Sequence, residues 1–243
     1  HTRCSRDWSS DVCSSDLMKT LRWDSLLAGS AWAMVHGHVL VQLDNAMSYR
    51  LNLDNIGSAW KGHRDFANWL VEYVKPETTV ELGVDWGFST FCFAEPRIGQ
   101  VYGIDLFIGD EHAGSRNADV QYESVMSVIT VNNLDHVHIL KQDFNEAADE
   151  WYHAIDILHI DGLHTYNAVR NDFYRWSCFM KPDGVILMHD VQAWPDVHKF
   201  YNEIELPKGY FEDSAGLGVL CKNPAILDEI LKNFPNFYFG NIA

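Results

Sequence analysis

The chain has 243 residues, a formal charge of -16 and 47% hydrophobic residues. That length suits one α/β domain with a small extension, and the apolar share is enough for a real core. So acidic a balance repels phosphate backbones and anionic lipid, which argues against nucleic acid and membrane surfaces as partners.

Residues 1–17 carry neither the apolar run of a secretory signal nor a helical or strand period. Asp11 to Leu17 back-translates to a string resembling a sequencing adaptor. Residues 1–17 are therefore expected to be a non-native leader, with Met18 as the natural start. The apolar stretch Ala31 to Leu43 is interrupted by His36, Gly37 and His38. It falls short of the roughly 20 apolar residues that span a bilayer, and reads as a core or lid segment. Residues 18–75 are expected to form a helical extension or lid. Within it, Arg64 to Val74 sets Phe66, Ala67, Leu70, Val71 and Val74 on one helical face, and Pro76 ends the helix.

From residue 76 to 243 short apolar runs alternate with amphipathic segments, the pattern of an α/β domain with a parallel sheet. Strands are expected at Thr79 to Leu82, Val101 to Leu106, Val137 to Lys141, Ile155 to Ile160 and Val185 to Met188, and in the tail at Gly209 to Glu212 and Leu217 to Cys221. Helices are expected at Phe88 to Glu95, Val120 to Asn132, Phe144 to Trp151, Thr165 to Phe179 and Ala225 to Asn233. Lys181 to Gly184 reads as a turn, and Gly109 to Asn117 as a polar loop. The five cysteines, at 4, 13, 92, 178 and 221, form no CxxC pair. They read as reduced thiols, which points to the cytoplasm.

In an open α/β sheet, ligands bind at the carboxyl ends of the strands. Four strand ends carry chemistry. Glu81-Leu82-Gly83-Val84-Asp85-Trp86-Gly87-Phe88-Ser89 is a glycine turn flanked by acids, which suits a sulfonium or ammonium group better than a pyrophosphate. Asp105 stands where an acid binds ribose hydroxyls. Asp161 and His164 follow the strongest strand, and His189 and Asp190 follow the next. Polar groups crowded there are costly unless paired, metal-bound or in use; a satisfied hydrogen-bond network is the structural alternative.

These motifs resemble the class I S-adenosylmethionine-dependent methyltransferases. The likeness is carried by the glycine turn, Gly109-Asp110-Glu111-His112-Ala113-Gly114, Asp143 to Ala147, His159 to Tyr166, Asp172-Phe173, Lys181 to Asp190 and Gly216 to Leu220. As a set they are similar to small bacterial methyltransferases of the glycosyltransferase-associated and sugar O-methyltransferase-like kind, over about Val80 to Leu220. The resemblance implies a Rossmann-like seven-stranded, mostly parallel sheet with a reversed C-terminal hairpin and helices on both faces. It also implies S-adenosylmethionine as cofactor. Glu81, Gly83, Asp85, Gly87 and Ser89 would hold its methionine part, Asp105 the ribose, and Asp143 with Phe144 the adenine, beside Asp161.

The implied reaction is O-methylation of a sugar or other small hydroxylated acceptor, which needs a base for the hydroxyl proton. Asp161, His164 and His189 are the candidates. Asp161, His189 and Asp190 are candidate ligands for a divalent metal such as magnesium, although an imidazole suits a softer ion better. A homo-oligomer is compatible with these features. The competing readings are a non-catalytic cofactor- or partner-binding module on the same fold, and a nicotinamide-dependent oxidoreductase. The latter would need a GxGxxG turn that is absent.

Overall fold

The computed structural model describes residues 50–112 and 114–242. The expectations for residues 1–17, the stretch Ala31 to Leu43, and His36 and His38 lie outside the described residues.

Eight strands form one sheet. In spatial order they are β10 (Phe237–Phe239), β8 (Lys208–Phe211), β9 (Leu217–Cys221), β7 (Met180–His189), β6 (Ile155–Ile160), β1 (Thr78–Leu82), β2 (Gln100–Ile104) and β5 (Val137–Leu140). Neighbouring strands from β5 to β7 run parallel, whereas β9, β8 and β10 pair antiparallel. The chain thus forms the expected reversed hairpin and adds β10 beyond it as an edge strand. A separate small hairpin, β3 (Gly109–Asp110) and β4 (Gly114–Ser115), occupies the segment read as a loop.

Every residue of β1 and β9 is buried, because helices cover both sheet faces. On one face α1 (Arg64–Val74), α2 (Phe88–Ala94), α3 (Ala118–Val131) and α7 (Pro224–Asn233) pack with Val185 and Leu187 of β7. On the other, α4 (Phe144–Glu150), α5 (Tyr166–Trp176) and α6 (Pro195–Glu203) pack with Ile186 and Met188. The period-two alternation along β7 is what separates the two cores. The apolar face of α1, from Phe66 to Val71, belongs to the first core. Its entry is tied down by Arg64, whose guanidinium pairs with Glu95 and donates to Leu51 O at 2.6 Å.

Two boundaries differ from the sequence pattern. The helix expected through Phe179 ends at Trp176 and continues as a 3-10 turn, Ser177–Phe179. The turn expected at Lys181 to Gly184 lies inside β7, where the pairing with β6 shifts register next to Ile155. A bulge absorbs the turn-forming residues without ending the strand. Among the described residues, no helix is long and apolar enough to cross a membrane.

Candidate active site

A cavity of about 630 Å³ opens at the carboxyl ends of the parallel strands, within the size range of small-molecule sites. Its floor is the turn after β1. Gly83 takes φ +95, and a Cβ there would stand 2.0 Å from Asp161 O, so only glycine fits. Asp105, just past β2, clamps this turn. One of its oxygens accepts from the backbone N–H groups of Val84 and Asp85, both at 2.9 Å, and the other from Phe107 N at 2.6 Å. Asp143 caps α4 by accepting from Asn145 N at 2.8 Å, which sets Phe144 at the rim. Gly83, Asp85, Ser89, Asp105, Asp143 and Phe144 all line the cavity.

Two of the residues expected to hold the methionine part, Gly87 and Glu81, lie elsewhere. Gly87 is the N-cap of α2 at φ 83, packed against Phe91. Glu81 is fully buried and is not among the cavity-lining residues. Its Oε2 accepts from the Thr90 hydroxyl, and its Oε1 faces His159 Nδ1 at 2.9 Å. The Trp60 indole N–H, which can only donate, points at His159 Nε2 at 3.1 Å. That contact makes Nε2 the acceptor and places the His159 proton on Nδ1, toward Glu81. The carboxylate is thereby satisfied beneath the turn.

The ends of β6 and β7 bring Asp161, His164, His189 and Asp190 together on the cavity wall. His189 Nε2 lies 2.8 Å from Ser214 O, which can only accept. His189 Nδ1 lies 3.2 Å from Asp161 Oδ1 and 3.3 Å from Asp190 Oδ2. Burial pulls its pKa down, but the charges and hydrogen bonds of Asp161 and Asp190 outweigh this and push it up to about 10. With both ring nitrogens donating, the imidazolium has no lone pair for a substrate proton or a metal. Burial raises the Asp161 and Asp190 carboxyls, and the neighbouring histidines reverse this and hold both below the usual range. Next to this imidazolium, His63 is neutral: burial first, then the His189 charge, lower it to about 3.

His164 Nε2 meets Asp190 Oδ2 at 2.6 Å. Burial lowers its pKa, and the Asp190 hydrogen bond and charge turn the net shift upward. One ligand atom each from Asp161, His164 and Asp190 lies within 4.8 Å of the others. His164 thus joins the two carboxylates in the place expected for His189, which is committed to Ser214.

The sequence pattern did not single out His112, at the turn of the β3–β4 hairpin. Its Nδ1 lies 3.3 Å from His164 Nδ1, and its ring stacks on Trp194 at 4.2 Å between centroids. Trp194 also stacks on His164, at 4.9 Å and 2°. His112 lies within the Gly109 to Gly114 stretch that carries the resemblance, but nothing local points to its partners, which follow two other strand ends. The contacts of Trp60, His159 and Ser214 were not readable for the same reason.

Residues 80–191 match a family profile described as a methyltransferase domain. An uncharacterized protein of Sinorhizobium fredii is 34% identical over 177 residues, covering 67% of this chain and 19% of that protein. An uncharacterized protein of Acanthamoeba polyphaga mimivirus is 27% identical over 144 residues, covering 54% of this chain and 62% of its own length. This chain therefore spans less than two thirds of either relative. Among solved structures, the O-methyltransferase of Bacillus cereus in complex with SAH superposes with a TM-score of 0.51 at 17% identity, covering 66% of this chain and 81% of that one. An O-methyltransferase family protein of Burkholderia thailandensis gives 0.51 at 13%, covering 68% and 56%. The mostly parallel sheet with helices on both faces is the Rossmann-like fold that these methyltransferase structures share. Residues 80–191 are thus similar to a methyltransferase domain, and the described residues share the fold of these O-methyltransferase structures.

Proposed function

We propose that the chain transfers a methyl group from S-adenosylmethionine to a hydroxyl of a small uncharged acceptor, with a sugar as the leading class. The observation that carries this reading is the juxtaposition of a glycine cradle with a histidine–carboxylate pair on one cavity. The cofactor fits the residues present: Gly83 lets the turn after β1 close tightly against Asp161 O beneath the cavity, and the acids around it suit a sulfonium cation. When bound, S-adenosylmethionine supplies an electrophilic methyl group.

Within this reading, Gly83, Asp85 and Ser89 receive the methionine part, Asp105 the ribose, and Asp143 with Phe144 the adenine. Glu81 and Gly87 support the turn from outside the cavity. His164 is the base. Asp190 holds its Nε2–H, so Nδ1 presents the lone pair to the acceptor hydroxyl. The His112 ring lies at that nitrogen, so the acceptor enters by displacing or skirting the hairpin. His189 neutralises and orients Asp161 and Asp190. The carboxylates of Asp85, Asp105, Asp143, Asp161 and Asp190 outweigh the Arg116 guanidinium on the wall, which disfavours a phosphate-bearing acceptor.

A second reading is favoured by the clustering of Asp161, His164 and Asp190. Two carboxylates and an imidazole would hold a divalent cation, which would acidify a bound hydroxyl. Transfer of a labelled methyl group to a panel of sugars, before and after chelation, tests both. Turnover that survives chelation and is lost in His164→Ala supports the base. Turnover lost on chelation and restored by a divalent ion supports the metal. No transfer to any hydroxylated acceptor from a folded sample would sink the proposal.

A further inference from the structure

The cavity has one wall that does not come from the strand ends. Gly57, Ser58 and Ala59 line it, and they lie ahead of the residues 80–191 that match the methyltransferase profile. They lead into a 3-10 turn, Ala59–His63, capped by Ser58, whose Oγ accepts from Trp60 N at 3.0 Å. Three anchors hold the turn from behind. The Trp60 indole donates to His159 Nε2 of β6 at 3.1 Å. The His63 ring packs edge-on against His189 at the end of β7, 5.9 Å between centroids. Gly62 N donates to Ser214 Oγ in the β8–β9 loop at 2.9 Å. Trp60 and His63 are each 1% exposed, so the segment is a fixed part of the fold rather than a fraying end.

The anchors also fix which part of the cavity this wall bounds. They tie it to β6, β7 and the β8–β9 loop, whereas Asp105 and Asp143 follow β2 and β5, at the far side of β1 in the strand order. The wall therefore flanks Asp161, His164 and His189, where the acceptor hydroxyl arrives, and not the nucleoside. Gly57 is the gap in it. Its φ is not positive, so the backbone does not demand glycine. An added Cβ would meet nothing within 4 Å, so packing does not demand it either; at Gly62 a Cβ would stand 2.3 Å from Ser214 Oγ. Gly57 and Ala59 are both exposed, so on this side the cavity runs out to solvent over small residues.

We propose that Gly57 to Ala59 form an exit lane for the acceptor: the reacting sugar sits at His164, and the rest of the molecule leaves the cavity across Gly57. The substrate class is then the terminal sugar of a longer saccharide rather than a free monosaccharide. This assignment rests on the reading above, in which the hydroxyl is methylated at His164. Gly57 is a specificity-determining residue, and it acts on acceptor binding rather than on the cofactor or the proton.

The test is transfer of a labelled methyl group by the full chain to a panel of methyl hexopyranosides and to methyl disaccharides that end in the same sugars. Wild type is expected to take the disaccharides at least as well as the matching pyranosides. Gly57→Trp sets an indole across the lane and should raise the disaccharide KM by about tenfold or more, while the pyranoside KM, kcat and the affinity for S-adenosylhomocysteine stay within about threefold. Gly57→Ala adds one carbon in open space and should leave both acceptors within about twofold of wild type. Wild type that methylates pyranosides but not disaccharides would overturn the lane. So would a Gly57→Trp variant that weakens both acceptors by one factor, the mark of a general disturbance, or that weakens neither. If Gly57→Trp does not fold, Gly57→Leu decides by the same comparison. A wild type that binds S-adenosylhomocysteine but methylates no sugar would overturn the sugar reading, and this assignment with it.

Discussion

At Gly83 a single added carbon has nowhere to go. Gly83→Ala would set a Cβ 2.0 Å from Asp161 O at φ +95, and is expected to cost about 2–4 kcal/mol of stability. Urea unfolding of the two proteins checks this. His164→Ala should do the opposite: methyl transfer falls roughly 10²- to 10⁴-fold, while affinity for S-adenosylhomocysteine stays as it was. Equal loss of binding and turnover would remove His164 from the role of base. Asp172, buried on α5, makes a prediction about pH, because burial pushes its carboxyl up. Its pKa of about 6 in the folded chain, against 3.8 when unfolded, means that the folded state holds the proton longer. Stability is therefore greatest when Asp172 is protonated, and falls as pH rises through about 4 to 6. The ionised form costs at most about 3 kcal/mol. Asp172→Asn removes that dependence, so its stability relative to wild type should be higher at pH 8 than at pH 4. A constant difference across that range would refute the buried-acid description.

At the scale of elements, α6 depends on a residue from the next strand. Lys208 is buried, and its ammonium donates to the carbonyls of Tyr201 and Ile204 at 2.8 Å and of Asn202 at 3.0 Å. These are the orphan acceptors at a helix C-terminus, where a cation is also favoured by the helix dipole. Lys208→Met keeps the stem and removes the cap, and should lower stability by about 1–3 kcal/mol in a thermal or denaturant melt. Elements with an internal pattern were legible in the sequence: α1 from its apolar stripe, β1 and β6 from short strand-length stretches rich in apolar and β-branched residues. β10 was not, because Phe237 to Phe239 follows Pro235 in an aromatic tail with no alternation, and pairing with β8 alone makes it a strand. The β3–β4 hairpin was not, because each strand has two residues. The site divides along the same line. Gly83, Asp105, Asp161 and Asp190 could be placed from strand ends. The partners that set their chemistry could not, since Ser214 O meets His189 across 25 residues and Trp60 meets His159 across 99.

Across the whole molecule, acidity and fold act together. The chain has a formal charge of -16, and Asp85, Asp105, Asp143, Asp161 and Asp190 line the cavity; in the proposed reading this balance favours a cationic cofactor over a phosphate-bearing acceptor. Both cores pack against one sheet, and its strand ends carry every proposed catalytic group, so the site is held by the most buried part of the fold. The most direct test of its central claim is calorimetric titration of S-adenosylhomocysteine into the full chain after treatment with a chelator. Saturable binding of one molecule per chain, weakened in Gly83→Ala, is the predicted result. A folded wild-type sample that gives no binding heat at any temperature tried would contradict it, and would leave this methyltransferase fold without its cofactor.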